Sequence, residues 1–183
     1  MPSVDAGGAA LRVAGKEVPV TISREDNSVL ISAVLFNARF SGQQSDGSVM
    51  SLDSDGNIRV KNGDSLKVTV TGFAPESEVE VRLYSDPILL GRTNVDKQGT
   101  MLSTYRIPEG VVSGAHRVVL VGRNYSGDTV TFAAGIIVGA VQTTSWALRL
   151  LIAFPLGGAV LVAMFLPAIL RRRKREEDMT SGQ

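Results

Sequence analysis

An acidic segment, Asp53-Ser54-Asp55-Gly56-Asn57, has the spacing closest to that of a metal-binding loop. Asp53, Asp55 and Asn57 place oxygen-bearing side chains at alternate positions, and oxygen is the ligand that Ca²⁺ prefers. An EF-hand loop has its Gly at the sixth position and a Glu at the twelfth, whereas here the Gly stands fourth. The other interpretation is a β-turn that enters a strand at Ile58, and the Gly position favours this turn. The segment is therefore only a weak calcium candidate, and we predict no metal.

Catalysis by a histidine would have to use His116, the single histidine of the sequence. Its position at the start of the strand-like segment SGAHRVVL favours a hydrogen-bonded structural role over that of a catalytic base. No GxxxxGK[ST], GxGxxG, GxSxG or HExxH motif occurs, and Glu78 and Glu80 lie two apart on the exposed face of a predicted strand. The absence of cysteine excludes disulfides, thiolate nucleophiles and Cys-ligated zinc. We predict no catalytic residues, no enzyme activity and no cofactor.

The distribution of charge along the sequence limits the kinds of partner that the protein is expected to bind. The formal net charge is +1, but five of the 19 basic residues lie together at 171–175. Residues 1–145 are consequently acidic on balance and show no basic stripe of the kind that nucleic-acid binding requires. Nucleic acid is excluded as an expected partner.

A hydrophobic segment near the C-terminus predicts a membrane anchor. Residues 150–170 read LLIAFPLGGAVLVAMFLPAIL, 21 consecutive residues without a charge, which is long enough to cross a bilayer as a helix. Twelve of them are Leu, Ile, Val or Phe, so the apolar free energy of insertion is on the order of −4 to −7 kcal/mol. A buried helix of a soluble protein would show an apolar stripe instead of apolarity all round. We expect one transmembrane helix over residues 147–170 and a lipid bilayer as partner.

The flanks of this helix predict its orientation. Cationic residues are retained on the cytoplasmic side, and five follow the span directly: Arg171, Arg172, Arg173, Lys174 and Arg175. Trp146 fits the membrane interface at the other end, and Arg149 is close enough to the helix start to extend to the headgroups. Residues 1–145 are then extracytoplasmic and the C-terminus is cytoplasmic. The basic cluster acts either as a stop-transfer signal, which we favour, or as a site for anionic lipids.

The N-terminal sequence does not account for the export of residues 1–145 that this orientation requires. It reads MPSVDAGGAALRVAGKEV, which has neither the basic region nor the apolar region of a signal peptide. One interpretation is that the sequence is the C-terminal part of a longer exported protein. The other is a tail-anchored protein, which would send the basic cluster outward, against the charge rule. We favour the first.

The pattern before the anchor is that of strands, since short runs rich in Val, Ile, Thr and Leu alternate with turns. We predict a hairpin from residues 18–23 and 28–36, a loop over 41–48, and then seven strands at 57–60, 65–73, 78–85, 88–95, 100–107, 116–124 and 129–138. In the second of these seven strands, Leu66, Val68 and Val70 share one face while Lys67, Thr69 and Thr71 share the other. Seven short strands with turns at this spacing are typical of a β-sandwich.

One long segment, from Gly63 to Gly122, resembles an immunoglobulin-like repeat of bacterial cell-surface proteins, particularly actinobacterial ones. The matching features are GFAPESEVEV (72–81), DKQGT (96–100), IPEGVVSGAHRVVL (107–120), the final strand, and the span with its basic tail. The resemblance covers residues 58 to about 139 and implies an extracellular, non-enzymatic module. The chain departs from sortase substrates because its single Leu-Pro, Leu166-Pro167, lies inside the span, so we expect it to stay in the membrane.

The resulting prediction is an all-β chain, an immunoglobulin-like β-sandwich of about seven strands with an N-terminal β-hairpin extension, plus one C-terminal transmembrane helix. Its regions are a linker or flexible arm (1–15), the hairpin region (16–57), the sandwich (58–139), a stalk (140–146), the helix (147–170) and a basic tail (171–183). We expect a structural or adhesive surface protein that contacts another surface or membrane protein. The alternative is an accessory single-pass subunit of a membrane complex. Small residues in the span, Ala153 with Gly157 and Ala159 with Ala163, permit a close helix pair but also arise by chance, so the oligomeric state stays open.

Overall fold

Twelve β-strands make up the regular structure of residues 4–139, the part of the chain that this computed structural model describes. In chain order they are β1 (Ala9–Val13), β2 (Lys16–Val18), β3 (Thr21–Glu25), β4 (Ser28–Ser32), β5 (Asn37–Gln43), β6 (Arg59–Val60), β7 (Ser65–Thr71), β8 (Glu78–Tyr84), β9 (Ile88–Asn94), β10 (Thr100–Arg106), β11 (Gly114–Arg123) and β12 (Thr129–Val138). None of these residues forms a helix that could span a membrane. The predicted stalk, helix and basic tail, with Trp146, Arg149 and the cluster at 171–175, lie outside the described residues.

The strands form two sheets. Sheet A has the order β2-β1-β12-β11-β8-β9, with β6 beside β12 as well. Its neighbours are antiparallel except for β6 and β12, which run parallel. Sheet B has the order β10-β7-β5-β4-β3 and is antiparallel throughout. The all-β prediction is confirmed, and the two sheets are consistent with a β-sandwich.

The hydrophobic core lies between the sheets. Phe40 from sheet B stacks on Phe132 from sheet A, with ring centroids 5.9 Å apart. The alternation predicted for β7 is confirmed, because Leu66, Val68 and Val70 are completely buried while Lys67 is exposed. Such alternation fixes the register, since a slip by one residue would turn the apolar set toward solvent.

The seven strands predicted between residues 57 and 138 correspond to β6 through β12, with their ends within two residues of the prediction. The turns between them carry the expected residues. Gly63, Gly99 and Gly127 have φ angles of 85°, 80° and 83°, a region that glycine enters without steric cost. Because strongly alternating segments are bounded by such turns, the strands in this half of the chain could be predicted from the sequence.

The predicted N-terminal hairpin exists as β3 and β4, joined by Asp26 and Asn27 with φ angles of 47° and 61°. Its second strand was predicted too long. It ends at Ser32, after which Ala33 and Phe36 exchange backbone hydrogen bonds of 2.8 and 3.4 Å. The apolar residues Val34 and Leu35 suggested a continuing strand, but they are 93% and 73% exposed in the turn.

Strand β5 was not predicted, and part of it was assigned to a loop. The run NARFSGQ has only Ala38 and Phe40 as apolar inward residues, and Gly42 interrupts the pattern. Its pairing with β7 extends over seven residues, from Asn37 opposite Thr71 to Gln43 opposite Ser65. The buried side chains of residues 16–57 belong to the same core as those of residues 58–139.

The linker predicted for residues 1–15 contains a strand. In β1, residues Ala9–Val13 pair with β12, and Leu11 is completely buried. The pairing satisfies backbone groups along the edge of β12 and covers one end of the core, which a Gly- and Ala-rich composition did not reveal. All residues of the core lie within the unit Met1–Ala140, so a chain truncated after Ala140 retains the complete described core.

Candidate functional site

The acidic turn at residues 53–57 is closed by its first carboxylate. Asp53 Oδ1 accepts the backbone N–H groups of Asp55 and Asn57 at 3.0 and 2.8 Å, and Asp53 Oδ2 lies 3.4 Å from Arg59 Nη2. The Gly56 N–H donates to the Asp53 carbonyl at 2.9 Å. Both carboxylate oxygens are therefore engaged by donors, an arrangement that serves the turn.

Opposing effects act on the pKa of Asp53. Burial, which leaves the side chain 8% exposed, tends to raise the pKa. The hydrogen bonds from the Asn57 and Asp55 amides and the charge of Arg59 outweigh this effect, so the pKa is lowered from its ordinary value. The carboxylate stays ionised at neutral pH and holds the turn.

The same hydrogen-bond pattern recurs in two further turns of the described residues. Asp96 Oδ1 accepts the N–H groups of Gln98 and Thr100 at 2.9 and 2.8 Å. Asn124 Oδ1 accepts those of Ser126 and Asp128 at 3.0 and 2.9 Å. All three turns have an Asp or Asn at the first position and a Gly with positive φ at the fourth. This shared spacing explains the acidic turn without a cation, and within residues 4–139 no group of three His, Asp or Glu residues could hold a metal.

His116 ties the end of β8 to the loop before β11. The Ser85 N–H donates to His116 Nδ1 at 3.3 Å, so Nδ1 is the unprotonated nitrogen. Nε2 then carries the proton and donates it to the Val112 carbonyl at 2.6 Å. Ser85 Oγ also lies 3.2 Å from Nδ1. His116 is 8% exposed, and within residues 4–139 its ring bonds Ser85 and the Val112 carbonyl, with no carboxylate to orient it as a base.

Ion pairs join the strands β8 and β9 on the outer surface of sheet A. Glu80 interacts with Arg82 of its own strand and, at 3.0 Å, with Arg92 of β9, while Glu78 lies 3.7 Å from Arg92. Hydrogen bonds from Arg82 and Arg92 hold the pKa of Glu80 below its ordinary value. Glu78 and Glu80, which the sequence places on the exposed face of β8, thus link it to the neighbouring strand.

The outer surface of sheet B has a different character. Cross-strand pairing aligns short hydroxyl and amide side chains from all five strands in one row: Thr21, Ser32, Asn37, Thr71 and Thr100. The next row contains Ser23, Leu30, Arg39, Thr69 and Leu102. The exposed members of a third row are Glu25, Lys67 and Thr104, whereas Ser28, opposite Glu25, and Ser41, opposite Lys67, are buried. We call these three rows the hydroxyl face. The sequence predicted only its β7 members, because the other members become neighbours through the sheet order.

Comparisons with known proteins add little to this geometry. No family model and no curated protein matches the chain. A solved soluble domain of PmoD from a Methylocystis species is similar over 60% of this chain and 96% of its own, with 13% identity and a TM-score of 0.39. An AA10 lytic polysaccharide monooxygenase from Streptomyces lividans is similar over 46% of this chain and 62% of its own, with 16% identity and a TM-score of 0.34. Similarity at this level carries no argument about function.

Proposed function

We propose that this chain is a non-enzymatic, membrane-anchored, extracytoplasmic immunoglobulin-like module that acts as a structural or adhesive element of a cell surface. The main support for the proposal is that the reactive side chains of the described residues make structural hydrogen bonds. His116 bonds a serine and a loop carbonyl, and the Asp53 carboxylate closes a turn. Among the described residues, the outer surface of sheet B is free of such interactions and is available for a binding partner.

The strand order supports the immunoglobulin-like assignment. In sheet A, β12, β11, β8 and β9 occupy the positions of the G, F, C and C′ strands of an immunoglobulin variable-type sheet. In sheet B, β10 and β7 occupy those of E and B. The chain departs from that plan by the strands β5, β4 and β3 that extend sheet B, and by β1 and β2 beside β12.

The anchor is supported by the sequence of residues 150–170 and by the basic cluster that follows. The last described strand, β12, ends at Val138, twelve residues before that apolar segment.

An accessory subunit of a membrane complex is the second candidate, and the spacing of small residues in the span favours it. Affinity purification of the full chain from detergent extracts separates the two functions. A surface module needs the span only as an anchor, so a poly-Leu span should leave its partners unchanged. Loss of a stoichiometric membrane partner on this replacement would establish the accessory function instead.

A separate assay tests the non-enzymatic assignment. Purified full chain and a His116→Ala variant should both lack hydrolase activity on ester, peptide and glycoside substrates. An activity that is present in the parent and abolished in the variant would contradict the proposal.

A further inference from the structure

The hydroxyl face has an uncompensated positive centre. Arg39 on β5 and Lys67 on β7 are both exposed and occupy diagonal positions on adjacent strands, about 7–8 Å apart. Neither makes an ion pair with another residue of the range 4–139. Like charges at this separation repel mildly, so the pair contributes nothing to folding that would explain its placement.

The carboxylates of the same surface are too far away to neutralise this pair. Glu25, the acidic member of the hydroxyl face, lies on the edge strand β3. Three strand spacings, about 14 Å, separate β3 from β7, which exceeds the screening length of physiological salt. Sheet A provides the contrast, because its outward Arg82 and Arg92 are both paired with glutamates. Arg39 and Lys67 have no such ion-pair partner among residues 4–139.

The surroundings of the two cations suit a hydroxylated ligand. The row Thr21, Ser32, Asn37, Thr71 and Thr100 presents hydroxyl and amide groups that can both donate and accept hydrogen bonds. Leu30 and Leu102 lie in the same row as Arg39 and offer apolar contact, and Leu102 is 59% exposed. A row across five strands is about 19 Å wide, which suits an extended polymer better than a small molecule.

We propose that the hydroxyl face binds an acidic polysaccharide. Its carboxylate or sulfate groups would contact Arg39 and Lys67, and its ring hydroxyls would bond the rows of Ser, Thr and Asn side chains. Leu30 and Leu102 would contact the apolar faces of the sugar rings. This inference rests on the proposed surface function and names its ligand class.

The test uses the chain truncated after Ala140, which removes the basic cluster at 171–175 as a competing polyanion site. Binding is measured by surface plasmon resonance to immobilised polygalacturonate, with poly-glutamate as a polyanion without hydroxyls and dextran as a neutral glycan. The parent should bind polygalacturonate most strongly. A double variant, Arg39→Gln with Lys67→Gln, should lose about tenfold in affinity, since two charge-assisted contacts are removed.

Two matched variants make the result specific. Lys16→Gln with Lys97→Gln removes the same charge from exposed positions outside the hydroxyl face and should change the affinity by less than about twofold. Thr71→Val with Thr100→Val removes hydroxyls while keeping shape and charge. This pair should lower the affinity for polygalacturonate severalfold and leave poly-glutamate unaffected. Circular dichroism and melting temperature must match the parent for each variant.

Four outcomes would overturn the inference. They are no binding at low ionic strength, equal binding to dextran, an equal loss in the Lys16 and Lys97 control, or equal binding to poly-glutamate with no effect of the valine pair. The last outcome would indicate an acidic protein as the ligand. None of these depends on membrane topology, so failure here leaves the proposed function standing, and a cytoplasmic location of residues 1–140 would refute that function whatever the glycan result.

Discussion

Replacing Val68 by Asp tests the core of the sandwich. Val68 is completely buried in β7, where pairing sets it opposite Phe40 of β5 and Ser103 of β10. An unpaired carboxylate at this position costs several kcal/mol, whereas a whole domain is stable by only about 5–15 kcal/mol. The described residues contain no disulfide that would hold the sheets together after the core is lost. Val68→Asp should therefore unfold the truncated chain or lower its melting temperature sharply.

The adjacent residue supplies the control. Thr69 points outward from the same strand, opposite Arg39, so Thr69→Asp adds a charge beside a cation in solvent. We expect its free energy of unfolding to stay within about 1 kcal/mol of the parent. A Val68→Ala variant loses two methyl groups and should cost about 2 kcal/mol, which remains measurable if the Asp variant does not fold.

Urea denaturation followed by circular dichroism, with thermal melts in parallel, measures all three variants in residues 1–140. Equal slopes against urea would show that the folded and unfolded states expose similar surface in each. The reasoning would be refuted if Val68→Asp were as harmless as Thr69→Asp, or if Thr69→Asp were the more damaging substitution. Either result would mean that the register of β7 is shifted by one residue.

Three further predictions concern β1 and the acidic turn. Leu11→Ala should destabilise the chain by about 2–5 kcal/mol in urea denaturation, because Leu11 is completely buried. An unchanged free energy of unfolding would mean that residues 1–15 are a flexible arm after all. The melting temperature of the parent, and of a double variant with Asp53→Ala and Asp55→Ala, should be the same in calcium and in chelator; a calcium-dependent parent that loses this dependence in the variant would establish a metal site. The lowered pKa of Asp53 means that its contribution to stability is present above its ordinary value of 3.8 and is lost as pH falls through the lower, folded value. Asp53→Asn should therefore flatten the loss of stability as the pH falls below the ordinary value in acid titrations, and an unchanged slope would contradict the role of this carboxylate.

The sequence allowed the strands β6 to β12 to be predicted because two independent signals agree there. Apolar residues alternate strictly in β7 and β8, and five of the six connections between these strands contain a Gly with positive φ: Gly63, Gly72, Gly99, Gly110 and Gly127. In the N-terminal part these signals disagree. Val34 and Leu35 are apolar but exposed, and the inward residues of β5 are too few to produce a recognisable pattern.

The candidate site was predictable only where it is local. The acidic turn depends on residues that are four positions apart, so its Asp-x-x-Gly spacing could be interpreted directly. The hydroxyl face depends on the strand order of sheet B, in which β3 and β10 are the two edge strands although they are distant in sequence. A single row of paired residues therefore runs from Thr21 to Thr100 across five strands. Alternation indicates which side chains point outward, but it does not indicate which strands are neighbours.

Protease protection in right-side-out vesicles tests the proposed function most directly. The full chain, with an epitope fused after Gln183, is treated with protease before and after detergent. The account predicts that residues 1 to about 140 are removed without detergent, while the epitope and the segment at 150–170 stay protected until detergent is added. Protection of residues 1–140 together with loss of the epitope would place the sandwich in the cytoplasm and contradict the account.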